Sequence, residues 1–393
     1  MKKSFLFRRF PALVLILCVC AFLLPAAAEE LDPSLWIVDD SIEEQGRVED
    51  MIDRMTLHEK VCQLFFVQPE HFSRVGRVTT FSKGLGNALH RFPVGGIILF
   101  RRNISREDIT GLNAGMQQAA LDVNGIGLFI GVDEEGGRVS RMANRLKLPE
   151  KQPDPIEIGS PDEAYKSACV IGSYLSEYGI NLDFAPVADV RADVEHAEIT
   201  TRSYGSDPET VSRMVVRFME GLHENGVIPV LKHFPGQGAV SGNTHFSFGI
   251  SRRTPEELKR IDFLPFIAGI QADAEMVMVS HQLTSAVDPD TPASLSPKVI
   301  SLLRNELGFN GVIITDALRM SAVHDTYGSG EACVLALEAG VDMLLLPYNF
   351  TAAYRGVINA VTDGRLTEKR IDESVLRILN LKEKHGLLPS TGK

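Results

Sequence analysis

The chain has 393 residues, 44% of them hydrophobic and 23% charged. These are globular values, and they exclude a disordered, collagen-like or disulfide-scaffold chain. The formal net charge is -11; beyond the first 28 residues, 36 basic face 51 acidic residues, a balance of -15. So acidic a body argues against nucleic acid as a partner, because phosphates need Lys and Arg, and it fits a small neutral or cationic substrate.

Residues 1–28 read as a signal peptide. Lys2, Lys3, Arg8 and Arg9 form a basic start, residues 13–24 an apolar run too short to span a bilayer, and alanines 26–28 a cleavage site before Glu29. The expectation is an exported protein, periplasmic or extracellular, with residues 29–393 as its mature chain. An uncleaved N-terminal membrane anchor is the alternative. No later segment has roughly 18 consecutive apolar residues, so no membrane span is expected in the mature chain. Cys62, Cys169 and Cys333 are too few for a disulfide framework and wrongly spaced for zinc, so buried free thiols are expected.

Short apolar runs then recur in chain order at residues 62–67, 94–100, 127–133, 180–187, 228–234, 274–281, 311–317 and 341–347. Each is rich in Val, Ile, Leu and Phe and bounded by Gly or polar residues, which predicts strands buried on both faces of a parallel sheet. Their starts lie about 30 to 50 residues apart, room for a crossover helix each time. Eight such units predict an α/β fold, a single-domain (β/α)8 TIM barrel with insertions after the third to fifth strands. A doubly wound open sheet is the alternative, weakened by the lack of a G-x-G-x-x-G fingerprint. The tail, residues 353–384, reads as helix with a turn at Asp363-Gly364.

In a barrel the chemistry sits where strands end, and these runs end in polar residues. The third ends in Asp133, followed by Glu134 and Glu135; the fifth holds Lys232-His233, the sixth Ser280-His281 and the seventh Asp316. A charge at the tip of an apolar strand is costly without a partner. One such group is unremarkable as a structural ion pair; four converging on one mouth predict a site. A carboxylate at the place of Asp316 can be a nucleophile, a base, a metal ligand or a hydroxyl binder. Residues 232–245 leave the fifth strand as a Gly- and Ser-containing loop that carries His245, a proton donor able to swing in. There is no H-E-x-x-H and no His on the first strand, so neither metal nor cofactor is expected.

Seven motifs, in order, resemble one family. They are M-T-L-H-E-K-V-C-Q-L-F from Met55, G-V-D-E-E-G-G-R-V-S-R from Gly131, N-L-D-F-A-P-V-A-D-V from Asn181 and T-R-S-Y-G from Thr201. K-H-F-P-G-Q-G-A-V-S-G-N-T-H from Lys232, I-T-D-A-L-R-M from Ile314 and the stretch from Gly330 to Pro347 complete the set. Over residues 45–388 the chain resembles glycoside hydrolase family 3, in its single-barrel β-N-acetylglucosaminidase branch. The resemblance implies an exported, retaining exo-β-N-acetylglucosaminidase acting on peptidoglycan fragments or chitooligosaccharides. Its partner would be a carbohydrate with a terminal β-linked N-acetylglucosamine, and a monomer is expected. Asp316 would be the nucleophile and His245 the acid/base. Asp133, Arg141, Arg202, Lys232 and His233 would hold the sugar, since carboxylates accept from hydroxyls while Arg and Lys donate to oxygens.

The chain departs from the family pattern at Gln237, where His is usual, at Ala239, where Asp is common, and at Asn243, where an Asp partners the catalytic His. An Asn oxygen can still accept the Nδ1–H of His245, with a weaker hold on the imidazolium. Two alternatives stay open: another family 3 specificity or a phosphorylase, and a sugar-binding pseudoenzyme, motivated by Asn243. His281 is the next candidate for proton donor.

Overall fold

The computed structural model describes residues 40–73, 76–192, 199–240 and 248–389. In the unit that begins at Gly46, eight parallel strands form one sheet. They are β1 (Phe65–Val67), β2 (Gly96–Ile98), β3 (Phe129–Val132), β4 (Leu182–Asp183), β5 (Ile228–Phe234), β6 (Met276–Val279), β7 (Val312–Thr315) and β8 (Leu344–Leu345). From β1 to β7 each pairs with the next in chain order, and β8 pairs with β1 through Phe65 and Leu344. Ile314 bridges Met343, which closes the barrel. All eight strands fall inside the eight apolar runs of the sequence.

Helices separate the strands: α1 (Lys83–Arg91), α2 (Ile109–Asn124), α3 (Pro161–Glu177), α4 (Pro208–His223), α5 (Leu264–Gln271), α6 (Pro297–Ser301), α7 (Ser321–Ala339) and, after β8, α8 (Phe350–Thr362). Their starts are written locally. Ser160 accepts a hydrogen bond from the Glu163 amide before α3, and Asp207 accepts from Thr210 before α4. Each cap satisfies a backbone donor that the first helical turn leaves free. A last helix, Glu368–Lys384, follows α8, so the tail holds two helices parted by the expected turn.

The barrel interior is packed by side chains. Phe66 of β1 and Phe184 meet edge-on with ring centroids 5.2 Å apart. Gly96 faces them because nothing larger fits: a Cβ there would stand 2.5 Å from the Phe66 ring. Cys62 and Cys333 are buried thiols and Cys169 is half-buried, in keeping with the free thiols expected. No helix among the described residues is long and apolar enough to cross a membrane.

Candidate active site

At the carboxyl ends of the strands lies a cavity of about 470 Å³, within the usual range for small-molecule sites. Asp133, Arg141, Arg202, Lys232, His233 and Asp316 all line it, with Glu135 and Gln237. Ile98, Met278 and Leu345, from β2, β6 and β8, supply an apolar lining. Six of the residues expected from sequence are thus brought to one pocket.

Asp133 follows β3 directly. The chain then folds into a small antiparallel ribbon, Glu134–Gly136 against Val139–Ser140, and into a short helix that starts at Arg141. The ribbon turns Glu135 towards β5. Its carboxylate accepts from Arg202 Nε at 2.7 Å and Nη2 at 2.6 Å, and lies 2.6 Å from Lys232 Nζ. Lys232 also donates to Asp133 at 3.1 Å, and Arg141 Nε stands 3.8 Å from the other Asp133 oxygen. Burial would raise the Glu135 carboxyl, but Arg202 and Lys232 hold it well below the usual carboxylate range. Burial would likewise lower Lys232, yet Glu135 and Asp133 keep its ammonium charged.

Neighbours on a strand point to opposite faces, yet Lys232 and His233 both line the cavity. The pairing of β5 with β6 shifts register between Leu231 and Phe234, and such an irregularity re-aims side chains. His233 is then fixed from behind. Its Nδ1 lies 2.7 Å from Asp189 Oδ2, while the backbone amides of His233 and Gln237 donate to Asp189 Oδ1 at 3.3 and 2.6 Å. Asp189 is fully buried.

Asp316 stands one residue past β7. Its amide donates to the Val279 carbonyl at 2.8 Å, and the Ala317 amide donates to its Oδ1 at 2.7 Å. Burial pushes its carboxyl up. The nearby His281 and His233, the Ala317 amide and Lys232 outweigh this and hold it below its ordinary value. An ionised, oriented carboxylate thus faces a pocket rich in donors.

His281 takes a different place from the residues around it. It is buried and does not line the cavity; its Nδ1 shares a 2.6 Å hydrogen bond with Ser294 Oγ. Burial lowers its imidazole, and the Asp316 charge pulls the other way. His245 and Asn243 lie outside the described residues. Glu135 and Asp189 carry no role in the sequence reading, although both sit inside quoted motifs. Their one local signal is a carboxylate beside a motif residue.

Glu134 and Asp183 form a second layer below. The Glu134 carboxylate accepts from the Met142 and Ala143 amides and from Tyr174 Oη. Burial nonetheless raises it to about 7. Asp183 accepts from the Glu134 amide at 2.9 Å, and burial pushes it well above its ordinary value too. These carboxyls position the ribbon and do not line the cavity.

Comparison with known proteins agrees with this geometry. The model of the glycosyl hydrolase family 3 N terminal domain matches residues 56–381. A Beta-hexosaminidase of Stenotrophomonas maltophilia (strain K279a) is 36% identical over 265 residues, 64% of this chain and 76% of the relative. Beta-hexosaminidase A of Pseudoalteromonas piscicida is 30% identical over 335 residues, 78% of this chain but 56% of that protein. Among solved structures, the family 3 β-N-acetylglucosaminidase of Paenibacillus sp. str. FPU-7 superposes with a TM-score of 0.79 at 34% identity, covering 86% of this chain and 64% of the other. The chain therefore spans less than two thirds of some relatives and more of others. It is a member of glycosyl hydrolase family 3.

Proposed function

We propose that the protein is an exported, retaining exo-β-N-acetylglucosaminidase that removes a terminal β-linked N-acetylglucosamine from peptidoglycan fragments or chitooligosaccharides. The observation that carries the reading is Asp316: an ionised carboxylate at the tip of β7, facing a pocket lined by Asp133, Lys232 and His233. The names of the relatives above, β-hexosaminidases and a β-N-acetylglucosaminidase, support the sugar. The basic-then-apolar start of the sequence supports export.

In this reading Asp133 accepts from sugar hydroxyls, with Lys232 and Arg141 against its carboxylate and Arg202 held by Glu135 beside it, and these cations hold the sugar with it. His233, held by Asp189, meets the ring beside the nucleophile. The Asp316 carboxylate attacks the anomeric carbon, and the leaving oxygen takes a proton from His245. Water, deprotonated by the same His, then releases the sugar and restores Asp316. The low-lying Asp316 carboxyl suits a nucleophile that must be ionised before each turnover.

Turnover of 4-nitrophenyl β-N-acetylglucosaminide against the matching glucoside tests the assignment. Preference for the acetamido sugar is expected. Preference for the glucoside would move the chain to another specificity, and binding without turnover would make it a pseudoenzyme.

A further inference from the structure

His281 is a buried titratable group that the proposed mechanism leaves without a role. It is 2% exposed and does not line the cavity, so it is no proton donor to a leaving oxygen there. A buried polar ring is costly unless it is held. Its Nδ1 shares a 2.6 Å hydrogen bond with Ser294 Oγ, and Ser294 is fully buried. Ser294 is fixed in turn. Its amide donates to the Ser280 carbonyl at 3.0 Å, and the Ala293 amide donates to the Gln282 carbonyl at 2.8 Å. The short turn Ala293–Leu295 is thus laced along residues 280–282.

The other ring nitrogen, Nε2, is buried and completes no hydrogen bond among the described residues. A buried polar atom left in this state calls for an explanation, and the neighbour of the ring is Asp316. β6 and β7 pair in register up to Val279 and Thr315, and the Asp316 amide donates to the Val279 carbonyl at 2.8 Å. Asp316 lies one residue past that rung and His281 two, so both leave adjacent strands at the same end. Burial lowers the basicity of the ring, while the Asp316 charge and the backbone at Ala317 and Asp316 favour its protonated form. In return, His281 leads the groups that hold the Asp316 carboxyl down against burial, followed by His233, the Ala317 amide and Lys232.

We propose that His281, set by Ser294, is a positioning residue that stabilises Asp316 as the carboxylate that leaves when the glycosyl-enzyme breaks down. With the Ser294 hydroxyl donating to Nδ1, the ring proton sits on Nε2, the nitrogen left without a protein acceptor. In the second half of the reaction the bond between Asp316 and the anomeric carbon breaks, and its electron pair returns to the carboxylate. Water adds to that carbon as its proton passes to His245. Positive potential beside Asp316 favours this step. It opposes the first step, in which the same carboxylate gives up electron density. The inference rests on Asp316 as the nucleophile and is independent of which sugar fills the pocket.

Stopped-flow and steady-state release of nitrophenolate by the full chain tests the role, with whichever 4-nitrophenyl glycoside the parent prefers. His281→Leu should lower kcat roughly tenfold to a hundredfold, the worth of a hydrogen bond to a charged group. KM should fall with it, so that kcat/KM stays within about threefold of the parent. A burst of about one nitrophenolate per site should appear, because the glycosyl-enzyme now accumulates. Ser294→Ala should move the same way by less. His281→Gln, which keeps an acceptor and a donor, should recover most of the lost kcat. Where circular dichroism shows that His281→Leu fails to fold, Ser294→Ala and His281→Gln are read for the same burst and the same split. An unchanged kcat without a burst would overturn the role, and so would a kcat/KM that falls as far as kcat. Asp316→Ala that keeps its turnover would instead overturn the nucleophile reading, and this role with it.

Discussion

Asp189 decides how His233 meets the pocket, although it does not line the pocket itself. Its two oxygens are fully committed, one to the ring Nδ1 and one to two backbone amides. Asp189→Asn keeps the volume but places an amide group where the imidazole needs an acceptor. We expect kcat/KM to fall roughly tenfold to a hundredfold, the worth of a hydrogen bond to a charged group. The thermal midpoint should change little, because Asn keeps one oxygen for the backbone amides. Unaltered kinetics would show that the dyad does not orient the ring. At this scale the sequence was legible where a single residue carries its own signal. Asp133, Lys232, His233 and Asp316 each end an apolar run and stand out. Glu135 and Asp189 do not, because what defines them is a partner far along the chain: 67 residues separate Glu135 from Arg202, and 44 separate Asp189 from His233. His281 ends its run in the same way yet is buried and does not line the cavity, since a strand tip fixes a height on the barrel and not a direction.

The ribbon after β3 is the element that carries Glu135, and it depends on Gly137. This residue has a φ of 54°, a left-handed conformation that favours glycine. A Cβ there would stand 1.7 Å from Asp154 Oδ1, an oxygen that accepts from the Arg138 amide at 2.7 Å. Gly137→Ala must displace Asp154 and release that amide. We expect a loss of about 1–3 kcal/mol in urea denaturation, together with a raised KM as Glu135 loosens its hold on Lys232. A KM that stays put would separate the ribbon from sugar binding. The eight strands were legible because buried parallel strands are written as continuous apolar runs. Their ends were legible less well: the run at residues 180–187 contains only two residues of β4, Leu182 and Asp183. The apolar residues beyond them line the barrel wall without regular pairing, which composition cannot distinguish from a strand. The ribbon itself has no apolar alternation to announce it; its residues are two glutamates, two glycines, an arginine, a valine and a serine.

The whole barrel is tied at its other end by Glu275, next to β6. Its carboxylate lies 3.1 Å from His223 at the end of α4, 2.6 Å from Lys384 at the end of the last helix and 2.9 Å from His385 just after it. Burial would raise it, but hydrogen bonds from His223, His385 and Lys384 hold it well below its ordinary 4.5. A folded-state value below the unfolded one stabilises at pH above the unfolded value, and the gain is lost as pH falls through the folded value. We therefore expect the urea midpoint to drop steeply below about pH 4.5. Glu275→Gln should cost about 1–3 kcal/mol near neutrality and flatten that acid limb. A parallel acid limb in the variant would assign the effect to other carboxylates. The family was legible at the scale of the whole chain, because seven motifs keep their order over a barrel that composition alone leaves ambiguous with an open sheet. The account of that molecule turns on one carboxylate, and trapping tests it most directly. A fluorinated N-acetylglucosaminide that forms the glycosyl-enzyme faster than it is released should add one sugar mass to a single peptide, and fragmentation should place it on Asp316. Asp316→Ala should take no label and keep its melting temperature. Label on Asp133, Glu135 or any other carboxylate would contradict the account.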